Sequence, residues 1–234
     1  DIPDLDIAQW VSLLPDEMSP VINGIGQASI FADLIGGIPQ KVTANLDLRD
    51  LVIVNPGADS LVYEQVSGSF DLSQQDGDWS ISGRDLVLRR ENQRWPAGSF
   101  SARLSLDDNR KPEAIGLDAS FVNLDNLMSL AKAFASSQLK SFGINAWLGG
   151  ELRDLRIRAD LKDGALEGLS ASAEFQDLSI IDADLGIDID GLSGSVDGSL
   201  EKGQIALEIY DGRFVVEPLF RGPVNADFLK ALFV

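Results

Sequence analysis

The sequence predicts a mainly β protein: an elongated, curled antiparallel sheet, a repeating β-groove, with short amphipathic helices between its repeats. Three observations carry that expectation. Apolar residues take every second position in many short runs, turn-forming dipeptides separate the runs, and much of the chain matches itself at a constant offset. Period-two alternation puts one apolar and one wet face on each strand, as in an antiparallel sheet with one solvated side.

The first element breaks the beat. Ile7, Trp10, Val11 and Leu14 fall at helical spacing behind Asp6, a capping residue, and Pro15 ends the segment. Strands follow. Val42, Ala44, Leu46 and Leu48 alternate with polar neighbours, as do Phe70 and Leu72, then Ile81, then Leu86 and Leu88. The same beat runs through Phe100, Ala102 and Leu104 and through Leu117, Ala119 and Phe121. A second helix is expected where Leu127, Leu130, Ala131 and Phe134 keep helical spacing behind Asp125, read as its cap. Alternation then resumes at Leu155, Ile157 and Ala159, at Leu169, Ala171, Ala173 and Phe175, and at Ile187 and Ile189. Val196, the run Ile205, Leu207 and Ile209, and the pair Phe214 and Val216 complete it. Asp76-Gly77, Asp163-Gly164, Lys202-Gly203 and Asp211-Gly212 suit hairpin turns that need positive φ. About a dozen strands in a meander are expected, and a bulge anywhere would flip the parity of everything beyond it.

Residues 31–51 lie over 158–178 without a gap, matching at Ala32/Ala159, Asp33/Asp160, Leu34/Leu161, Gly37/Gly164, Ala44/Ala171, Asp50/Asp177 and Leu51/Leu178. Ser67-Gly68-Ser69 lies over Ser193-Gly194-Ser195 at nearly the same offset. The chain therefore reads as two copies of a unit of about 126 residues, 1–123 and 124–234, stacked as one continuous groove.

Composition excludes much. With no Cys and no His among 234 residues there is no thiolate nucleophile, no histidine base and none of the usual zinc sites. A net charge of −18 opposes nucleic acid and anionic membrane surfaces. No apolar stretch is long enough to span a bilayer, and the chain, starting at Asp1, reads as a piece of something longer. Asp182 to Gly191 carries acids, but not at EF-hand spacing, and Ile187 and Ile189 make it a strand with a wet face. No metal or cofactor is expected. No pair among the thirty-seven acids stands out for hydrolysis, so an enzyme is not expected either.

The apolar positions mix Ala and Gly among larger residues. Ala44, Ala102, Ala119, Ala159, Ala171 and Ala173, with Gly68 and Gly194, either leave room for a guest or accommodate curvature and helices. Short motifs bear on that choice. Leu48-Arg49-Asp50-Leu51, Leu152-Arg153-Asp154-Leu155, Phe175-Gln176-Asp177-Leu178 and Gly191-Leu192-Ser193-Gly194-Ser195-Val196 resemble the AsmA-like superfamily and, within it, the YhdP family. So does the run from Gly203 through Phe214 to Phe220 and Pro223.

That resemblance implies a taco-shaped sheet with a hydrophobic trough, held by an inner-membrane anchor in a Gram-negative periplasm and involved in moving phospholipids toward the outer membrane. The alternating residues named above would then line the trough and contact acyl chains. Exposing a lipid costs about 0.8 kcal/mol per methylene, on the order of 20 kcal/mol for two chains, and an apolar trough removes most of that. Head groups would ride outside. Arg84, Arg89, Arg90 and Arg94 could steady a phosphate at the rim, the alternative being a solvated face paired with nearby acids. Phospholipids are the expected partners, with both membranes reached through parts of the protein outside this sequence. Two alternatives remain: a TamB-like role in outer-membrane protein assembly, where a sheet edge templates an incoming strand, and a structural stalk with a closed core.

Overall fold

The structure is a computed structural model, and it describes residues 1–11, 21–36, 38–54, 60–75, 77–91, 93–107, 109–141, 146–163, 165–182, 184–216 and 222–234. Its elements follow in the order β1 (Ile2–Asp6), α1 (Ile7–Val11), β2 (Val21–Ile35), β3 (Ile38–Ile53), β4 (Leu61–Gln75), β5 (Asp78–Arg90), β6 (Gln93–Arg94), β7 (Gly98–Leu106) and β8 (Pro112–Asn123). Then come α2 (Leu124–Ser141), β9 (Trp147–Lys162), β10 (Ala165–Asp182), β11 (Ile187–Ser199), β12 (Gly203–Val216) and β13 (Val224–Phe233). The strands form one 13-stranded antiparallel sheet whose order follows the chain, with only the short β6 standing off the path beside β5. This is the mainly β meander that the alternation predicts.

Two compact units divide the chain. One comprises Asp1–Ser120 with Ala159–Glu167, the other Phe121–Arg158 with Gly168–Val234. In the first, β1 to β5, β7 and most of β8 pair successively. Asp6 caps α1, its Oδ1 accepting the Ala8 amide at 3.0 Å. A β-carbon on Gly24 would lie 3.0 Å from Ile7 Cδ1 and 3.1 Å from Leu51 Cδ1, so α1 seats on β2 and β3 there. Beside this contact Leu51, Ile53, Leu61 and Tyr63 are buried together at one end of the strands. Trp10 is outside the residues whose side chains are described, and Leu14 and Pro15 lie outside the described residues altogether.

In the second unit Asn123, not Asp125, caps α2. Its Oδ1 accepts the Asn126 amide at 3.0 Å. Asp125 stands inside the first turn and reaches across to β9, accepting the Gly150 amide at 3.1 Å and the Trp147 indole N–H at 3.4 Å. The helix buries Leu124 and Met128, whereas Leu127 is half exposed and the Phe134 side chain lies outside the description. The expected cap is thus corrected by two residues, from Asp125 to Asn123, and Leu127 leaves the buried face while Leu130 and Ala131 stay half buried.

Turn chemistry is met in part. Gly77 has φ +94° before β5 and Asp163 φ +52° after β9, though their partners Asp76 and Gly164 lie outside the described residues. The Ser199 amide closes the β11–β12 turn on the Lys202 carbonyl at 2.7 Å. Asp211-Gly212, however, is not a turn. It lies within β12, where the ladder passes from Asp190–Arg213 to Leu192–Ile209, leaving β12 two residues long on that step.

Candidate functional site

In an antiparallel ladder directly paired residues project to the same face, so the register sorts the apolar positions. Across β2, β3, β4, β5, β7 and β8 one rung reads Ala32, Val42, Leu72, Ile81, Ala102 and Leu117. The next reads Ile30, Ala44, Phe70, Gly83, Phe100 and Ala119. On the hairpin side Gln74, Trp79, Leu104 and Ile115 make a further rung. On the other side Ala28 pairs Leu46 and Leu46 pairs Gly68, while Gly26, Leu48, Val66 and Leu88 share a rung. The second unit repeats the arrangement. Ala173, Val196, Ile205 and Phe233 form one rung; Phe175, Gly194, Leu207 and Ala231 the next; Leu178, Leu192, Ile209 and Leu229 a third. Beyond them Ile180, Ile189, Phe214 and Val224 pair, as do Ile187 and Val216. On β9, Leu155, Ile157 and Ala159 are half buried between exposed Arg156, Arg158 and Asp160, and Phe121 on β8 is half buried.

Something must keep these residues on one face past each irregularity, and it is the Asp of the recurring tripeptide. Asp50, Asp85, Asp154 and Asp177 all have φ between 50° and 55°, the left-handed region. Aspartate tolerates that region better than most residues, and one such residue per strand makes a bulge. At Asp177 the ladder slips between Phe175–Gly194 and Leu178–Leu192, so two side chains three residues apart still share a face. The displaced Asp177 amide donates to Ser193 Oγ at 3.1 Å. At Asp85 the slip falls between Gly83–Phe100 and Leu86–Gly98, with the same effect for Leu86. The Asp-Leu step at Asp85 and at Asp177 is therefore a parity corrector.

This face is open. Few large side chains on it are fully buried, and Leu72, Trp79, Ile81, Ile115 and Ile205 are each about two-fifths exposed. In the second unit a cavity of about 420 Å³ opens on the same face, walled by Leu169, Ala171, Val196, Ile205 and Phe233 and floored by Gly198 and Gly203. Not every small residue leaves space for a guest. A β-carbon on Gly83 would meet the Phe100 ring at 2.4 Å, one on Gly68 the Leu86 side chain at 2.6 Å, and one on Gly194 the Ala206 carbonyl oxygen at 2.0 Å. These glycines accommodate the protein's own atoms.

The opposite face is wet and carries ion pairs. Arg84 and Arg89 point there, opposite Ser69 and Gln65. Arg84 pairs with Asp71 at 2.8 Å, Arg89 with Glu64 at 2.8 Å and Arg90 with Glu91 at 2.7 Å, while Arg94 is exposed on β6. The two arginines at described rungs thus sit behind the apolar face, not on its rim. The Thr43 hydroxyl donates to Asp71 at 2.7 Å, and this bond, aided by Arg84, holds the Asp71 carboxyl below its ordinary range. Asp182 Oδ1 accepts the amides of Asp184 and Leu185, closing the turn into β11. The acidic run is a turn leading into β11, the strand expected there in place of a calcium loop.

Among known proteins, the model of one family, described as YhdP protein, matches residues 1–233. The chain belongs to the YhdP family. No curated protein and no solved structure matches it. Within this YhdP-family chain, sequence reasoning missed several residues of the apolar face, Val66, Trp79, Ile115 and Ile180 among them. Ala28, Ile30 and Ala32 alternate on β2 and were legible there. Leu178 and Leu192 are hidden by the bulge and by Gly191. On β13, Leu229, Ala231 and Phe233 share the face while Phe228 and Leu232 lie on the other, so no alternation marks the strand.

Proposed function

We propose that this chain is a segment of a periplasmic, inner-membrane-anchored lipid transport protein whose apolar face shelters phospholipid acyl chains travelling between the inner and outer membranes. The observation that carries the reading is the succession of apolar rungs, open to solvent at Leu72, Trp79, Ile81, Ile115 and Ile205. A chain moved from one rung to the next exchanges like for like, so passage needs no chemistry and no tight pocket, and the role requires no enzyme activity. The two-unit chain supplies such rungs in both halves. Membership of the YhdP family and the trough its resemblance implies point the same way. The ion pairs of the opposite face and the chain's net charge of −18 make that face the poorer host for hydrocarbon.

The test pairs a bulky charge with a bulky apolar group. Native mass spectrometry on the purified chain is expected to detect co-purified phospholipid, which Ala102→Glu and Ala171→Arg each reduce at least five-fold while the far-ultraviolet circular dichroism spectrum persists. Ala171→Leu, which fills the cavity without a charge, lowers occupancy less. Undiminished lipid in the folded charge variants overturns the reading.

A further inference from the structure

Resting on that acyl-chain reading, we infer a direction for the bound lipid in the first unit: its head group lies at the hairpin rim beside Trp79, and its chains run along the strands toward the α1 end. Exposure on the apolar face is graded along the strands. At the rim, Leu72 and Trp79 are 39% exposed, Ile81 41% and Ile115 42%; toward the other end, Ala28 is 4%, Leu48 6% and Leu51 8% exposed. A head group carries charge and needs water, whereas a chain end does not, so the open rim takes the former and the closing end the latter.

The far end refuses a phosphate on two further counts. Ile7 of α1 and Leu51 both crowd over Gly24 there, and Tyr63 is 1% exposed, its phenol pushed above the ordinary range by burial. Trp79 suits the boundary. Its indole has an apolar body and one N–H, the combination that settles where hydrocarbon meets polar surroundings. Length agrees as well. An acyl chain spans about 15 Å, half of a bilayer core of about 30 Å. Trp79 and Gly83 are separated along β5 by about 13 Å of extended strand. A chain anchored at the rim therefore ends near the Phe70–Gly83–Phe100 rung, where the two phenyl rings stand 6.5 Å apart. Trp79 is on this account a positioning residue for the interface between head group and chain.

Depth-resolved fluorescence quenching tests the direction on the full chain. Trp10→Phe, Trp95→Phe and Trp147→Phe leave Trp79 as the sole indole; in a second protein Trp79→Phe is added and Phe100→Trp placed four residues' depth further in. Each is loaded from phosphatidylethanolamine–phosphatidylglycerol vesicles containing phospholipid brominated either next to the head group or near the chain terminus. The expected result is at least two-fold stronger quenching of Trp79 by the head-group-proximal bromines and the reverse at Phe100→Trp. If the combined substitutions unfold the chain, the difference in emission between the natural protein and Trp79→Phe isolates the same signal. Equal or stronger quenching of Trp79 by terminal bromines overturns the direction while leaving the trough. No quenching by either lipid at either position removes the acyl-chain reading itself.

Discussion

Gly83 lies directly beneath the ring of Phe100: a β-carbon on it would stand 2.4 Å from Phe100 Cε1 and 2.9 Å from Cδ1. The pair is a cross-strand rung, β5 against β7, and the missing side chain of one makes room for the other. Gly83→Val should therefore push the phenyl ring off the sheet and cost about 1–3 kcal/mol, the usual penalty for overpacking. Phe100→Ala in the same chain relieves the clash, so urea titration of the four proteins should return a favourable coupling of about 0.5–3 kcal/mol. Strict additivity would mean that the ring does not occupy the glycine's space.

Asp85 offers a backbone test. Its φ of +55° sits in a region that costs most L-residues about 1–2 kcal/mol and glycine nothing. Asp85→Gly is expected to be nearly neutral, and Asp85→Val to lose at least about 1 kcal/mol in chemical denaturation. Deleting Asp85 is more telling. Without the extra residue Gly83 and Leu86 stand two apart, so a regular strand keeps Leu86 and Leu88 on the apolar face, and the deletion variant should fold and bind a hydrophobic dye no more strongly than the natural protein. A deletion that exposes apolar surface and aggregates would show that Asp85 is not the extra residue of a bulge.

How much of this was legible in the sequence follows from which signals are local. Val42 to Leu48 or Phe100 to Leu104 announce their strands and faces because period two is written into neighbouring residues. The motif around Asp50 and Asp177 was visible as a signature, but its mechanical meaning was not, since a bulge is defined by the register of the opposite strand. Asp211-Gly212 was read as a turn for the same reason: the dipeptide supplies left-handed backbone equally to a hairpin tip and to a bulge, and only the step from Asp190 to Leu192 on β11 decides between them. Gly68 and Gly194 read either as room for a guest or as accommodation of the fold, and what fills the space above Gly68 is Leu86, a residue on another strand. The face itself was readable; its occupants were not.

The Thr43–Asp71 hydrogen bond predicts a pH dependence. Asp71 is depressed first by the Thr43 hydroxyl and then by Arg84, so its folded value lies below the unfolded value of about 3.9. A depressed carboxylate adds stability that is fully present above the unfolded value and is lost as pH falls through the folded one. Thr43→Val should then be less stable than the natural chain at neutral pH, and the gap should close in acid below the unfolded value. Carboxyl carbon shifts followed by nuclear magnetic resonance should show Asp71 titrating at higher pH in Thr43→Val. A gap that stays constant down to strong acid would assign it to packing rather than to the carboxylate.

Asn123 and Asp125 divide the work at the start of α2, and the division can be measured. Asn123 satisfies the Asn126 amide at the helix N-terminus, whereas Asp125 ties the first turn to Gly150 and Trp147 on β9. Asn123→Ala should cost about 1 kcal/mol and speed amide exchange mainly within the helix. Asp125→Ala should instead speed exchange at Gly150 and alter Trp147 emission, because the indole loses its acceptor while Lys132 still lies 4.2 Å from its ring centre. With the two substitutions acting on different hydrogen bonds of one turn, each should leave the other's signature intact. Loss of helix protection in Asp125→Ala equal to that in Asn123→Ala would return the capping role to Asp125.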